Sequence, residues 1–144
     1  MAYEDLPEIM AIEVASFTAP WYPEMFLAEM EGPVSFSSVA ELDGGVAGYA
    51  TYRVILDEAH LMNLAIAPDQ QRKGLGRKLM DEIVAHCASV GAAYMFLEVR
   101  RSNVAAQALY ISMGFTFLDV RKAYYTDNRE DAIILKFDFP GDEA

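Results

Sequence analysis

The chain has 144 residues, 53% of them hydrophobic and 23% charged, which is typical of one globular domain with a core of its own. Its net charge of −11 opposes general nucleic-acid binding, which needs a basic surface. No apolar run approaches the roughly 20 residues that cross a bilayer, and the N-terminus lacks the pattern of a signal peptide. We therefore expect a single cytoplasmic domain over residues 1–144, without direct nucleic-acid or membrane partners.

The charges are unevenly distributed. Residues 1–52 contain nine carboxylates and no Lys or Arg, and the first cation is Arg53. A surface of this kind either keeps the protein in solution or attracts a cationic partner, and the charge alone does not separate the two.

Hydrophobic spacing and turn residues predict four helices and six strands. The elements are helices Asp5–Phe17 and Glu24–Met30, strands Val34–Leu42, Val46–Ile55 and Leu61–Ala67, helix Gly74–Val90, strand Tyr94–Val99, a helix capped by Ser102 or Asn103 that runs to Met113, and strands Phe115–Val120 and Asp131–Phe139. The strand–helix–strand unit from Leu61 to Val99 is expected to be a parallel crossover, while the other strands pair antiparallel. The sequence thus predicts an α/β (α+β) domain with a mixed central sheet and helices on both faces.

The turn between strand Leu61–Ala67 and the next helix has the composition of a phosphate site. Its residues are Gln71-Arg72-Lys73-Gly74-Leu75-Gly76-Arg77-Lys78. Two glycines allow close approach to the backbone, and the first helical turn offers unpaired N–H groups at the positive end of the helix dipole. A P-loop is excluded because Gly76 is not followed by Lys and Ser or Thr, and the dinucleotide motif is excluded because Leu79 replaces its third glycine.

Two side chains are candidates for chemistry. Glu98 ends a strand that is otherwise apolar, and apolar surroundings raise the pKa of a carboxyl group toward the range of a general base. The alternative is that Glu98 forms an ion pair with Arg100 or Arg101. Tyr110 lies on the inward face of the helix Ser102–Met113, where a tyrosine is most often a core residue.

Several other residues receive structural interpretations. Cys87 lies on the apolar stripe of its helix, so we expect a buried thiol rather than a nucleophile. His60 and His86 lack carboxylate or cysteine partners at ligand spacing, so no metal site is expected. Trp21, between two prolines, is either a core residue or part of the wall of a binding site.

The turn, the strand Tyr94–Val99 and the following helix together resemble the GNAT superfamily of N-acetyltransferases. The resemblance covers about Pro20 to Leu135 and is strongest to the subfamily of ribosomal-protein-alanine N-acetyltransferases (RimI). The segments that carry it are Pro20-Trp21, Leu56-Asp57-Glu58-Ala59, Asn63-Leu64-Ala65-Ile66, the turn above, Leu97-Glu98-Val99-Arg100-Arg101-Ser102-Asn103, Ala108-Leu109-Tyr110-Ile111-Ser112-Met113-Gly114-Phe115, Tyr124-Tyr125 and Arg129-Glu130-Asp131-Ala132-Ile133-Ile134. The short opening strand usual in the superfamily is expected to be truncated or absent, since only Met1–Glu4 precede the first helix.

This resemblance implies a set of roles. Glu98 would accept the proton of the substrate ammonium, and Tyr110 would give a proton to the departing CoA thiolate. The parallel strands would splay to admit acetyl-CoA, the co-substrate. The residues implied to bind it are Leu64, Ala65 and Ile66 through their backbone, Arg72, Lys73, Gly74, Leu75, Gly76 and Arg77 at the pyrophosphate, and Asn103.

The resemblance also implies the acceptor, the N-terminal alanine of a small-subunit ribosomal protein with a basic leading segment. Carboxylates of the first 52 residues would steer that peptide, and Glu24, Glu29 and Glu31 are the candidates. Two alternatives stay open. One is acetylation of a small amine such as a polyamine or aminoglycoside, and the other is a CoA-binding module without catalysis.

Overall fold

The computed structural model describes residues 1–141, so the last three residues of the predicted 1–144 domain lie outside the described part. Two short 3-10 turns, Tyr3–Asp5 and Pro68–Gln70, accompany ten longer elements. These are α1 (Leu6–Ser16), α2 (Pro23–Glu31), β1 (Ser35–Leu42), β2 (Gly45–Ile55), β3 (Glu58–Ile66), α3 (Leu75–Ser89), β4 (Tyr94–Arg100), α4 (Val104–Ser112), β5 (Thr116–Arg121) and β6 (Ala132–Asp138). The predicted order of helices and strands is confirmed.

The strands form one mixed sheet in the order β1-β2-β3-β4-β6-β5. The pair β3–β4 is parallel and every other pair is antiparallel, as the sequence predicted. The hairpin at Asp43-Gly44 joins β1 to β2 with a positive φ at both residues, which a type I′ turn requires. Residues Tyr3–Asp5 before α1 form a 3-10 turn and not a strand.

Each face of the sheet carries its own apolar cluster. The larger cluster lies under α3 and α4 and includes Leu79, Met80, Ile83, Met95 and Leu97. The smaller cluster joins α1 and α2 to the opposite face through Ile9, Ile12, Phe26, Tyr49 and Ala65. Burial of this kind is the main stabilising term of the fold, and the helices are therefore held on both faces.

β3 begins three residues earlier than its hydrophobic run suggests. The β2–β3 connection is the two-residue turn Leu56-Asp57, in which Leu56 has a φ of 56° and is almost fully exposed. Because this turn contains no glycine, its sequence lacks the usual signal of a two-residue hairpin. The consequence is that His60, which the sequence analysis treated as isolated, lies inside the strand.

Candidate active site

A gap opens between β3 and β4 near the middle of the sheet. The parallel ladder runs from the pair Glu58–Tyr94 to the pair His60–Phe96 and ends there. β3 carries one extra residue, Met62, opposite the step from Thr51 to Tyr52 of β2. Such a bulge bends the strand that contains it. β3 therefore turns away from β4 directly after its last paired residue.

Beyond the bulge, the backbone N–H and C=O groups of successive β3 residues point alternately toward the gap and toward β2. The N–H of Ala67 donates to the carbonyl of Ala47 on β2, at 2.7 Å. Since backbone direction alternates along a strand, Ala65 also faces β2, whereas Leu64 and Ile66 face the gap. Of the three predicted backbone contacts, these two lie where a ligand in the gap could reach them.

The entry of α3 offers free backbone donors at one end of the gap. Gly74 precedes the helix with a φ of 77°, a left-handed conformation that glycine adopts without a steric penalty. Within residues 1–141, no acceptor forms a hydrogen bond with the backbone N–H groups of Gly74, Leu75, Gly76 and Arg77. These four groups stand at the positive end of the helix dipole, an arrangement suited to a phosphate.

The basic side chains around this entry are exposed. Lys73 Nζ donates to Gln70 Oε1 at 2.7 Å, and Arg77 Nη1 donates to Ser112 Oγ at 3.2 Å. Both partners are neutral, and across the described residues no carboxylate lies within 4 Å of Arg72, Lys73, Arg77 or Lys78. The turn therefore presents uncompensated positive charge.

Asn103 caps the helix that borders the gap on the other side. Its Oδ1 accepts the N–H of Ala106 at 3.1 Å, and α4 begins at the next residue, Val104. The sequence analysis allowed Ser102 or Asn103 as the cap, and the structure selects Asn103. The amide nitrogen of Asn103 makes no hydrogen bond to residues 1–141 and is the group left for a ligand.

Glu98 lies on β4 opposite the buried face of that strand. Met95, Leu97 and Val99 are buried under α3 and α4, and alternation turns Glu98 to the other face. The residues on that other face are only partly buried along the whole strand, so the carboxylate can be reached from solvent. Its Oε2 lies 2.7 Å from Nε2 of His60.

The two arginines considered as partners of Glu98 bind elsewhere. Arg100 contacts Asp127 at 2.9 Å and Glu130 at 3.3 Å, and Arg101 contacts Asp131 at 3.3 Å. These carboxylates all belong to the loop between β5 and β6. The arginines therefore fix that loop to the end of β4, and the ion-pair alternative for Glu98 is wrong in its choice of partner.

Tyr110 is buried on α4 on the opposite side of β4 from Glu98. Its ring packs against Phe115 with 5.6 Å between ring centroids. Burial raises the pKa of Tyr110 to about 12, with a smaller contribution from the nearby Tyr125. The hydroxyl is therefore protonated throughout the neutral range.

Tyr125 is a third ionisable group of this region and was not singled out by the sequence analysis. Burial raises its pKa to about 12, the charge of Glu98 adds to the shift, and Arg100 opposes it. The guanidinium carbon of Arg100 lies 4.0 Å from the ring centroid of Tyr125. The pair Tyr124-Tyr125 appeared in the sequence only as part of a resemblance, so no chemical signal marked this residue.

The face of the sheet that carries Glu98 also bears a cavity of about 310 Å³ beside α2. Its lining is mostly apolar and consists of Trp21, Met25, Ala28, Glu29, Arg53 and Met62. Trp21 packs on Phe26 with 5.0 Å between ring centroids, so it is at once a core contact and a wall of this cavity.

Glu29, one of the three predicted steering carboxylates, has a structural partner. Its side chain is buried and accepts hydrogen bonds from Arg53 and, at 2.7 Å, from Ser35. The Arg53 guanidinium holds the pKa of Glu29 below its ordinary value. Because its charge is compensated within the fold, the inclusion of Glu29 among the steering groups was wrong.

A sequence model of the acetyltransferase (GNAT) family matches residues 6–115, which contain the gap, the α3 entry, Glu98 and Tyr110.

The chain belongs to the GNAT acetyltransferase family.

One relative in sequence and two solved structures describe its place in the GNAT family. The [ribosomal protein bS18]-alanine N-acetyltransferase of Escherichia coli K12 is 43% identical over 133 residues, which cover 91% of this chain and 89% of the relative. The crystal structure of the ribosomal-protein-S18-alanine N-acetyltransferase from Escherichia coli superposes with a TM-score of 0.89 at 38% identity, covering 100% of this chain and 95% of that one. Naa20 of Chaetomium thermophilum, solved with a bisubstrate analogue, gives a TM-score of 0.86 at 26% identity over 96% of this chain and 84% of its own.

The reaction of this GNAT domain is acetyl transfer from acetyl-CoA to an amine. The fit to acetyl-CoA can be tested on the residues present. An anionic diphosphate suits the four free N–H groups and the uncompensated cations at α3, and an extended chain suits the free edge of β3. The residues of this chain therefore fit the co-substrate.

The face of the GNAT sheet that carries Glu98 is held to α1 by Glu13, a buried carboxylate of that helix. Its oxygens accept hydrogen bonds from the Tyr49 hydroxyl, from Asn63 Nδ2 at 2.9 Å and from the backbone N–H of Trp21 at 2.9 Å. These donors belong to β2, to β3 just beyond the bulge, and to the α1–α2 connection. The sequence analysis did not single out Glu13, since its partners are distant in sequence.

Cys87 is fully buried in the GNAT core, and burial raises the pKa of its thiol to about 11. The prediction of a core thiol is confirmed, and a covalent acetyl-cysteine route has no accessible nucleophile in the described residues.

Residues 1–141 also contain no helix long and apolar enough to span a bilayer.

Proposed function

We propose that this protein transfers the acetyl group of acetyl-CoA to the N-terminal α-amine of a protein, and that the physiological acceptor is the N-terminal alanine of ribosomal protein bS18. The observation that carries the proposal is the gap in the sheet, which has a helix entry with four free backbone N–H groups on one side and an accessible carboxylate on the other. The relatives that act on bS18 support the choice of acceptor.

Acetyl-CoA is proposed to lie along the free edge of β3 with its diphosphate on the α3 entry. The N–H groups of Gly74, Leu75, Gly76 and Arg77 would hold the phosphates, and Arg72 and Lys73 would add charge. The backbone groups of Leu64 and the N–H of Ile66 would hold the acetyl and pantetheine portions, whereas the Ile66 carbonyl accepts from Gln71 Nε2 at 3.3 Å and the backbone of Ala65 faces β2. Asn103 would contact CoA from α4.

The acceptor amine is proposed to approach from the face that carries Glu98. A peptide α-amine has a pKa of about 8 and is mostly protonated at neutral pH, so it must lose a proton before it attacks the thioester. Glu98 is the group placed to take this proton, directly or through one water. The amine then attacks the carbonyl carbon in a ternary complex, and no covalent enzyme intermediate is formed.

Tyr110 is proposed to stabilise the departing sulfur from the buried side of the sheet. A phenol donates a hydrogen bond to the developing thiolate and can pass its proton to it. Burial raises the pKa of Tyr110 to about 12, so the hydroxyl keeps its proton at neutral pH and can donate a hydrogen bond to the developing thiolate. A pure CoA-binding module would need neither Tyr110 nor Glu98.

Three acceptors at equal concentration test the proposed substrate. They are the synthetic N-terminal peptide of bS18 with a free alanine, the same peptide with its α-amine blocked but its side chains free, and spermidine. Mass spectrometry is expected to find one acetyl group on the α-amine of the first peptide only. Faster acetylation of spermidine would establish the small-amine alternative, and acetylation of the blocked peptide would show that a side-chain amine is the target.

A second experiment tests the assigned roles in the same assay. The variant Glu98→Gln keeps the size of the side chain but cannot accept a proton, and we expect its kcat to fall by about 10² to 10⁴. Calorimetric titration with acetyl-CoA should give an unchanged affinity, since Glu98 is not proposed to bind the co-substrate. Full turnover by Glu98→Gln would refute its role as the base even in an active enzyme.

A further inference from the structure

We propose that His60 is a positioning residue of this active site, which holds the Glu98 carboxylate in the orientation that accepts the proton of the amine. The inference rests on the proposed role of Glu98 as the base. Its starting point is the 2.7 Å contact between His60 Nε2 and Glu98 Oε2. His60 lies on β3 and Glu98 on β4, so the contact crosses the two strands that diverge.

The location of this contact follows from the strand register. His60 is paired with Phe96 at the last rung of the parallel ladder, and Glu98 is two residues further along β4. Side chains two residues apart share a face, so Phe96, Glu98 and His60 all lie on the acceptor side. The histidine therefore spans the base of the gap at the point where backbone pairing has just ended.

The direction of the hydrogen bond is set by the chemistry of the two groups. An ionised carboxylate has no proton and can only accept, so Nε2 of His60 must carry the proton in this contact. A hydrogen bond to a charged acceptor is among the stronger ones available to a side chain. With Oε2 occupied in this way, the other oxygen of Glu98, Oε1, is the one free for the acceptor amine.

The neighbouring charges leave this bond undisturbed. Arg53 lies directly opposite His60 on β2 and is a cation that could compete for the partners of His60. Its guanidinium is instead bound to the buried carboxylate of Glu29 on α2, at 3.1 Å from Nε to Oε2. Arg53 is therefore already compensated, and His60 is left as the donor to Glu98.

The exposure of the two side chains fits a positioning role. The side chain of Glu98 is 22% exposed and that of His60 is 39% exposed. A carboxylate this accessible would sample several rotamers if it were unsupported. One fixed hydrogen bond from a neighbouring strand selects a single rotamer, as partners of metal-bound or catalytic side chains do in other enzymes.

A double-mutant cycle tests the inference with the bS18 peptide as acceptor. We expect His60→Leu to lower kcat by about 10- to 100-fold, the range found for partners that orient a functional side chain, while KM for acetyl-CoA stays unchanged. His60→Gln retains an N–H donor on a side chain of similar length and is expected to recover most of the activity. In the Glu98→Gln background, His60→Leu is expected to cost nothing further, because the carboxylate it orients is absent.

The outcomes separate the two proposals. An equal loss from His60→Leu in both backgrounds, or a His60→Gln variant as slow as His60→Leu, would overturn the positioning role while leaving Glu98 as the base. Wild-type turnover by Glu98→Gln alone would instead overturn the role of Glu98. Thermal unfolding of each variant monitors the fold, and if His60→Leu melts more than about 5 °C lower, His60→Asn, whose amide is too short to reach Oε2, takes its place.

Discussion

Glu13 provides the sharpest test of how the acceptor side is held together. The substitution Glu13→Gln preserves the size of the side chain but replaces one carboxylate oxygen with an amide nitrogen. In the native structure, Oε1 accepts from Tyr49 and Asn63, while Oε2 accepts from the backbone N–H of Trp21. A glutamine can keep its oxygen at the first position, but its NH₂ group then faces the N–H of Trp21.

The cost follows from this geometry. One buried backbone donor loses its acceptor, which costs about 1 to 3 kcal/mol, and two hydrogen bonds to a charged oxygen become weaker neutral ones. We estimate a total of about 3 kcal/mol. The entropy of unfolding of a 144-residue chain is about 0.3 kcal/mol/K near 60 °C, so Tm should fall by about 10 °C.

Circular dichroism melting at pH 7 measures this shift, and Glu8→Gln is the matched control. Glu8 lies on the same helix but is exposed, and it accepts one hydrogen bond, from the N–H of Val46 at 2.8 Å. Its substitution should change stability by no more than about 0.5 kcal/mol. Glu13→Gln should also raise KM for the peptide but not for acetyl-CoA, since Trp21 lines the acceptor cavity. A Tm within 2 °C of wild type, as in the control, would refute the reasoning.

Three further predictions concern the other groups of the site. Tyr110→Phe should lower kcat by about 10²-fold with little change in Tm, because only the hydroxyl is lost and the ring contact with Phe115 remains; an unchanged kcat would remove Tyr110 from the chemistry. Glu29→Gln should lower Tm clearly at pH 7 and much less at pH 3. The pKa of Glu29 lies below its ordinary value of 4.5, so its stabilising contribution is complete above that pH and is lost as the pH falls, and an equal loss at both pH values would contradict this. Arg77→Ala should raise KM for acetyl-CoA about five-fold, whereas turnover of acetyl-pantetheine, which lacks the diphosphate, should not change; an equal effect on both would place Arg77 outside the phosphate site.

Local patterns were sufficient to predict the fold. Helical spacing, the turn at Asp43-Gly44 and the apolar runs of β3 and β4 each depend on residues close together in the chain, and these elements all appear. The α3 entry was predicted for the same reason, since glycines and cations at a strand–helix junction are adjacent in sequence.

The contacts that the sequence did not reveal join residues far apart in the chain. His60 meets Glu98 across 38 residues, and Glu13 meets Asn63 across 50. Each contact depends on the register of the sheet, which a single sequence does not specify. In addition, the glycine-free turn Leu56-Asp57 gave no hairpin signal, so the part of β3 that carries His60 was not predicted as strand. Glu29 was misjudged for a related reason, because its partner Arg53 lies on β2, opposite α2.

The bulge at Met62 makes the length of β3 as important as its composition. Removing this one residue would restore an even register with β2 and turn each later side chain of the strand to the opposite face. The side chains of Leu64 and Ile66 would leave the larger apolar cluster. The gap between β3 and β4, in which the thioester meets the amine, would tend to close. Substitutions at position 62 that preserve its bulk should be tolerated, whereas a deletion there should abolish turnover.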